Sequence, residues 1–188
     1  SGGQELLAAP VALDLLVDGQ EPTWDAPVVP EGTPVPAKAD ALVQGQAGGA
    51  SLSVKTSVEF DGMARIDVTL DPGQAVRVER LVLKIPLHAA VAKYLHANRV
   101  DLTRYSPFYF CLRDTFSGLI PEEGWEAEFY PFITLSNEDV GLCWFAESDE
   151  LWHPEDRSRA IRIIREGEQV LLEVHMIDRP TVLEKPTV

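Results

Sequence analysis

The stretch LSVKTSVEFDGMARIDVTL, from Leu52 to Leu70, decides how the rest of the chain is read. Its first arm sets Leu52, Val54, Val58 and Phe60 (the residue just ahead of the turn) against Ser53, Lys55, Ser57 and Glu59. Successive side chains of an extended strand point to opposite faces, so an apolar and a polar set at a spacing of two mark a strand with one wet face. Asp61-Gly62 turns the chain, and the second arm repeats the alternation with Ala64, Ile66, Val68 and Leu70 against Arg65, Asp67 and Thr69. Two such runs joined by Asp-Gly read as an antiparallel hairpin.

Working outward, the same signal recurs. VALDLLVDG, Val11 to Gly19, reads as a strand closed by an Asp-Gly turn. Residues 20–50 carry Pro22, Pro27, Pro30, Pro34 and Pro36, then Gly45, Gly48 and Gly49; this composition predicts a long loop across the fold, with short edge strands at most. After Asp71-Pro72-Gly73, AVRVERLVLKIPL gives a strand whose end is marked by Pro86. HAAVAKYLHAN, His88 to Asn98, places Val91, Tyr94 and Leu95 at i, i+3 and i+4 and predicts one short helix. FYFCLRD, AEFYPFITLS and VGLCWFAES follow as strands, and AIRIIREGEQVLLEVHMID reads as a hairpin turning at Glu166-Gly167. GLCWFAES is apolar on both faces, so it is expected in the middle of a sheet, covered on both sides. Together these signals predict an all-β fold, an antiparallel β-sandwich of about nine or ten strands with one short helix.

Length and composition bound the domain organisation. A chain of 188 residues with 45% apolar and 24% charged content is long enough for one domain with a core. Residues 1–4 read as an expression remnant, residues 5–179 as a single β-sandwich domain, and residues 180–188 as a tail or linker to a downstream domain. No apolar run has the length of a bilayer-crossing helix and no leader is evident, but the opening Ser1-Gly2-Gly3 leaves room for a removed one, so a secreted or periplasmic location stays open. A net charge of −14 argues against partners that need clustered Lys and Arg, which excludes a nucleic-acid backbone and an anionic membrane.

The chemistry-bearing residues are concentrated in DVGLCWFAESDELWHPEDRSR, Asp139 to Arg159, where an apolar run ends in Glu147, Asp149, Glu150 and Trp152. On an extended strand Glu147 and Asp149 point the same way, roughly 7 Å apart at the backbone. Paired carboxylates suit glycoside hydrolysis, and as pure acceptors they also suit gripping sugar hydroxyls. Trp152 and Trp125, the latter in PEEGWEAE, offer flat apolar faces to a pyranose ring. Against these stands a plainer reading, an acidic strand end in water with Trp144 in the core and Trp152 covering an edge. Calcium would also suit oxygen-rich loops, but no DxDxDG loop occurs.

Cys111 and Cys143 lie in apolar runs and read as buried free thiols, with a cross-strand disulfide open as the alternative. His88, His96, His153 and His175 are scattered; His88 and His96 without a third ligand make a poor zinc site, and His175 is expected on a wet strand face. No cofactor and no metal are expected.

Several stretches resemble a known family. ELLAAPVALDLLVDG, VKTSVEFDGMARIDVTLDP, LVLKIPL with AKYLHA, PFITLSNEDVGLCWFAESDELW and LEVHMID are similar to the β-sandwich domain of bacterial proteins related to glycoside-hydrolase family 123. The resemblance spans residues 5–178 and is most specific in GLCWFAESDELW. It implies a downstream (β/α)8 barrel that does the chemistry. In family 123 proper, that barrel cleaves terminal N-acetylgalactosamine by a substrate-assisted mechanism through an Asp-Glu pair. This chain departs from the pattern where a tryptophan-glycine pair is expected ahead of the acidic turn, reading Thr134-Leu135-Ser136 instead.

The function implied is a non-catalytic module that packs against the barrel, with Trp144 and Phe145 anchoring their strand in the core and with Glu147, Asp149, Trp152 and Trp125 meeting either a glycan or the neighbouring domain. The alternatives are a self-sufficient carbohydrate-binding module and a glycosidase using Glu147 and Asp149.

Overall fold

Period-two alternation organises nearly all of the described chain. The computed structural model describes residues 5–26, 37–100, 112–146, 149 and 152–186. Among them are fourteen strands, no α-helix, and one 3-10 turn at Arg157–Arg159. The strand total exceeds the expectation because two full strands stand where a loop and a helix were expected, and pieces of two or three residues join the longer runs. The chain divides into two units, one made of Leu15–Arg80 and Arg179–Val188 and the other of Ser1–Asp14 and Leu81–Asp178.

The first of these units begins inside strand β1, Ala12–Val17. Asp18 (φ 48°) and Gly19 (φ 71°) then make the expected two-residue turn, with Val17 and Gln20 exchanging both backbone hydrogen bonds. A positive φ at both central residues is what Asp-Gly tolerates best. Strands β2 (Thr23–Trp24), β3 (Lys38–Ala47), β4 (Ala50–Glu59) and β5 (Ala64–Asp71) form an antiparallel sheet in that order.

Strand β3 corrects the loop expected over residues 20–50. Ten residues, Lys38 to Ala47, pair along their whole length with β4, and β2 adds Thr23 opposite Gln46 and Trp24 opposite Gly45. Gly45 does not break the strand, because the Trp24 indole lies over it. A Cβ there would come within 2.8 Å of Trp24 Cε3 and 2.7 Å of the Thr23 carbonyl. An aromatic ring covering a strand glycine restores the packing that the missing side chain removes.

Residues opposite one another across strands share a face. The rows Ala41–Thr56–Ile66, Val43–Val54–Val68 and Gly45–Leu52–Leu70 therefore make one uncharged face. The rows Asp40–Ser57–Arg65 and Leu42–Lys55–Asp67 lie on the other, where Arg65 pairs with Asp67 at 2.9 Å.

The second unit is a β-sandwich. One sheet takes the latter part of β6 (Val76–His88), then β13 (Gln169–Ile177), β12 (Ile161–Glu166) and β9 (Trp125–Ala127). The other runs β11 (Gly141–Phe145), β10 (Phe132–Ser136), β7 (Tyr94–Val100) and β8 (Leu112–Leu119). Their inward side chains meet in one core: Ile85, Leu87, Ile161, Ile163, Val170, Leu172 and Val174 from the first sheet, Leu95, Ala97, Ile133 and Leu135 from the second. Alternation in β12 and β13 makes this possible, as the hairpin pairs Ile161 with Val174 and Ile163 with Leu172.

Three expectations are corrected in this unit. The helix predicted over His88–Asn98 is a single turn, in which Ala92 N–H donates to the His88 carbonyl, followed by β7. Its backbone is claimed on both sides, by β10 and by β8, and burying Leu95 and Ala97 on one face requires a period of two. Pro86 does not end β6, which runs on to His88. The carbonyl of Pro86 accepts from Ala8, and in a strand N and O of one residue face the same side. The missing N–H thus faces the Leu6–Ala8 segment and leaves the pairing with β13 intact.

Strand β11, expected in mid-sheet, is an edge; Leu142 and Trp144 pack on the core while Cys143 and Phe145 face outward and are exposed. A further strand, β14 (Thr181–Leu183), forms within the stretch expected as a linker and pairs with Val76–Val78. No described helix is long and apolar enough to cross a membrane.

Candidate functional site

Of the four residues singled out from sequence, Glu147 lies outside the described residues, as do Glu150 and Cys111. The other three are on the sandwich unit. Trp125 opens β9, where Gly124 (φ 84°) brings the chain so close to β12 that a Cβ would run into the Ile163 carbonyl. Only glycine combines that backbone angle with that approach. The Trp125 ring then packs edge-on to Tyr130 (centroids 5.6 Å, 76°) and tilted against Phe116 (6.1 Å, 48°).

Trp152 makes a second aromatic group, edge-on to Phe129 (5.1 Å, 80°) and tilted on Trp144 (6.3 Å, 43°). Both tryptophans are partly buried against the sandwich core, and edge-to-face geometry is how aromatic rings pack with one another.

Asp149 accepts a hydrogen bond from Arg157 at 2.7 Å, and its carbonyl accepts from Trp152 N–H at 3.0 Å. The acidic stretch is thus fastened at Asp149 by a cation eight residues later. A second fastening follows. Arg159 makes a bidentate pair with Glu126 on β9, at 2.6 and 2.7 Å. Hydrogen bonding from Arg159 holds the Glu126 carboxyl below the usual glutamate range, and the same bond pushes the Arg159 guanidinium up.

Asp156 caps the 3-10 turn through Ser158, accepting from its hydroxyl at 2.6 Å and its N–H at 2.9 Å. Those bonds, the hydroxyl first, lower its carboxyl. Chemically, then, this edge presents carboxylates with arginine partners and aromatic rings seated on a core. Arg157 and Arg159 were not singled out from sequence; their signal was the switch from Glu155-Asp156 to two arginines in HPEDRSR, directly after the acids.

His175 is corrected from a wet-face residue to a buried one, 8% exposed. Its Nε2 lies 3.0 Å from Glu173 and its Nδ1 3.1 Å from Asp178. The register shifts between His175 and Ile177, and both are buried, while Met176 packs partly buried against the core. A bulge is invisible to a count by twos. His96 hydrogen-bonds Ser117 at 2.8 Å, and Cys143 is free and exposed rather than buried.

Phe145, expected with Trp144 to anchor its strand in the core, is corrected to the outer face of the sandwich, where it pairs with Phe132. Phe132 (44% exposed) and Phe145 (48%) sit opposite each other on β10 and β11 with ring centroids 6.2 Å apart. Alternation was the available signal, since Ile133 and Leu135 point inward and Phe132 must therefore point out.

Comparison with known proteins gives one finding. Residues 1–99 match the family described as glycoside hydrolase 123, third domain, and the candidate residues Trp125, Glu147, Asp149 and Trp152 lie beyond the matched part. No curated protein and no solved structure matches the chain. The match covers more than half of the 188 residues and takes in β1 to β6 and most of β7, the same all-β scaffold that the sequence pattern implied; the chain belongs to the glycoside hydrolase 123 third-domain family.

Proposed function

We propose that this chain is a non-catalytic β-sandwich module of a glycoside-hydrolase-like polypeptide, packing against that polypeptide's (β/α)8 barrel and lending side chains to the rim of its cleft. The family match over residues 1–99 carries the reading. A third domain has two others ahead of it, which leaves room for a barrel upstream as well as downstream. The edge geometry supports a supporting role: Asp149 is engaged by Arg157, and the rings of Trp125 and Trp152 are turned into aromatic groups on the core. In this reading Glu147, Asp149, Trp152 and Trp125 form the rim that faces sugar or barrel.

Turnover of aryl N-acetyl-galactosaminides by the parent polypeptide and by this chain alone tests it. The expected result is hydrolysis by the parent only. Hydrolysis by the 188-residue chain, lost in Glu147→Gln, would sink it in favour of a self-contained glycosidase.

Direct glycan binding by the chain is a second reading, favoured by the exposed Phe132 and Phe145 rings, because exposed aromatic faces suit the CH side of a sugar. Calorimetric titration with N-acetylgalactosamine-terminated oligosaccharides should then give heats that vanish in Phe145→Ala.

A further inference from the structure

We infer that the cleft at the Gly48-Gly49 end of the β2–β3–β4–β5 sheet is a binding site for a neutral oligosaccharide, held by hydrogen bonds. The inference deepens the accessory-module reading, on which it rests, by giving the module a ligand site of its own. The registers across the four strands line up Thr23, Gln46, Ser51 and Asp71 in one row. Neighbouring strands lie about 4.8 Å apart, so the row spans roughly 14 Å. Each of its members on β3, β4 and β5 is one residue away from Gly45, Leu52 or Leu70 and therefore points to the opposite, polar face of the sheet.

Three turns border the row. Gly48 (φ 56°) lies so close to the end of β1 that a Cβ would come within 2.8 Å of the Val17 carbonyl. Asp71 accepts from the Gly73 N–H at 3.1 Å and sets the turn after β5. The Val17–Gln20 turn delivers Gln20 and Glu21 to the remaining side. The cleft between them holds about 580 Å³, the size of a small-molecule site.

The lining sets the chemistry of the ligand. Gln20 and Gln46 bring amides and Thr23 and Ser51 hydroxyls, all of which both donate and accept, while Glu21 and Asp71 bring acceptors. Among the described residues, no hydrogen bond ties the side chain of Gln20, Gln46 or Thr23 to another part of the protein, so these groups are open to a ligand. Sugar hydroxyls also donate and accept, and match that set. Among the described residues no Lys, Arg or His lines the cleft and two carboxylates do, which excludes phosphates and other anions. Its apolar side chains are the buried methyls of Ala47 and Ala50, too little to hold a ligand by apolar burial.

Titration of the isotope-labelled chain with lactose, chitotriose and N-acetylgalactosamine, followed by amide chemical shifts, tests the inference. At least one sugar should move the amides of Gly48, Gly49, Ser51 and Gly73 saturably. Gln46→Ala and Thr23→Val, the second keeping the β-branched shape and removing only the hydroxyl, should each weaken that binding about tenfold, the scale of one lost hydrogen bond. Both positions are exposed, so the melting temperature should stay in place.

The absence of saturable shifts with all three sugars overturns the inference. So do shifts confined to the strands of Phe132 and Phe145, an affinity untouched by either substitution, and saturation of the same amides by calcium chloride or inorganic phosphate in place of sugar. A chain that hydrolyses aryl glycosides yet shows the expected shifts would remove the accessory reading and leave the cleft standing. Hydrolysis by the parent polypeptide only, with no shifts in the chain, would do the reverse.

Discussion

The sandwich core and the β4–β5 hairpin are written in the same alternating code and end in opposite states. Leu95, Ala97, Ile133 and Leu135 alternate along β7 and β10 and are fully buried, because the sheet containing β6, β13 and β12 lies over them. Val58 and Ile66 alternate just as regularly along β4 and β5 and keep more than two-fifths of their surface in water. Alternation reports which way a side chain faces. Whether anything covers that face is a separate fact, supplied by a second layer that the local pattern does not encode.

Truncating side chains on the two faces should separate them most clearly. Leu135→Ala removes a fully buried side chain between two sheets and should cost about 2–5 kcal/mol, the range for cavity-forming Leu→Ala changes. Ile66→Ala, on the hairpin face, should cost less than about 1 kcal/mol, since much of its surface is already wet. Urea unfolding of both variants at unchanged m-value checks the pair. Equal losses would mean that the hairpin face is packed in solution, and the distinction between the regions would collapse.

Between those extremes lies the aromatic edge. Trp152 is partly buried, touching Phe129 and Trp144, so Trp152→Ala should cost about 2 kcal/mol from lost apolar burial and ring packing. Because Trp152 N–H also donates to the Asp149 carbonyl, the substitution should speed amide exchange at position 152 and its neighbours. A loss as small as that of Ile66→Ala would place Trp152 with the uncovered residues and strengthen the case for a sugar platform.

How much of this was legible depends on whether the deciding interaction is local. The β4–β5 and β12–β13 hairpins and the Asp18-Gly19 turn could be read directly, because alternation and turn chemistry sit within a few residues of one another. At His88–Asn98 the helical spacing of Val91, Tyr94 and Leu95 competed with the two-residue spacing of Leu95 and Ala97. The hydrogen bonds from β10 and β8, distant in sequence, decided for the strand.

Strand β3 was obscured by proline and glycine content, and what rescues it, Trp24 over Gly45, is a contact across twenty-one positions of sequence. For β11, apolar residues on both faces suggested cover on both sides, yet Phe145 finds its neighbour in Phe132 beside it rather than in a layer above. The candidate acids were readable as a cluster; that Arg157 reaches back to Asp149 was not, because ion pairing follows side-chain reach and not periodicity.

The smallest expected effect concerns that pairing. Glu126 receives two hydrogen bonds from Arg159, and the guanidinium holds its carboxyl below the ordinary glutamate value. In the unfolded chain Arg159 is gone and the carboxyl returns to its ordinary value, so between the two values the unfolded state binds the extra proton. Stability from this group therefore rises with pH across that window, is complete above the ordinary glutamate value, and disappears as pH falls through the folded one.

Glu126→Gln removes the titrating group, so the melting temperatures of the two proteins should differ at neutral pH and converge on acidification. Added salt should narrow the neutral-pH gap, because both partners are exposed and the pair is screened. The bond joins β9 to the turn that follows the acidic stretch, so Trp152 fluorescence in the same titration should report whether releasing Arg159 loosens the edge. Melting curves that stay parallel from neutral to acidic pH would show that the pair is not formed in solution, and the acidic stretch would then keep its fastening at Asp149 and its aromatic contacts without the tie to β9.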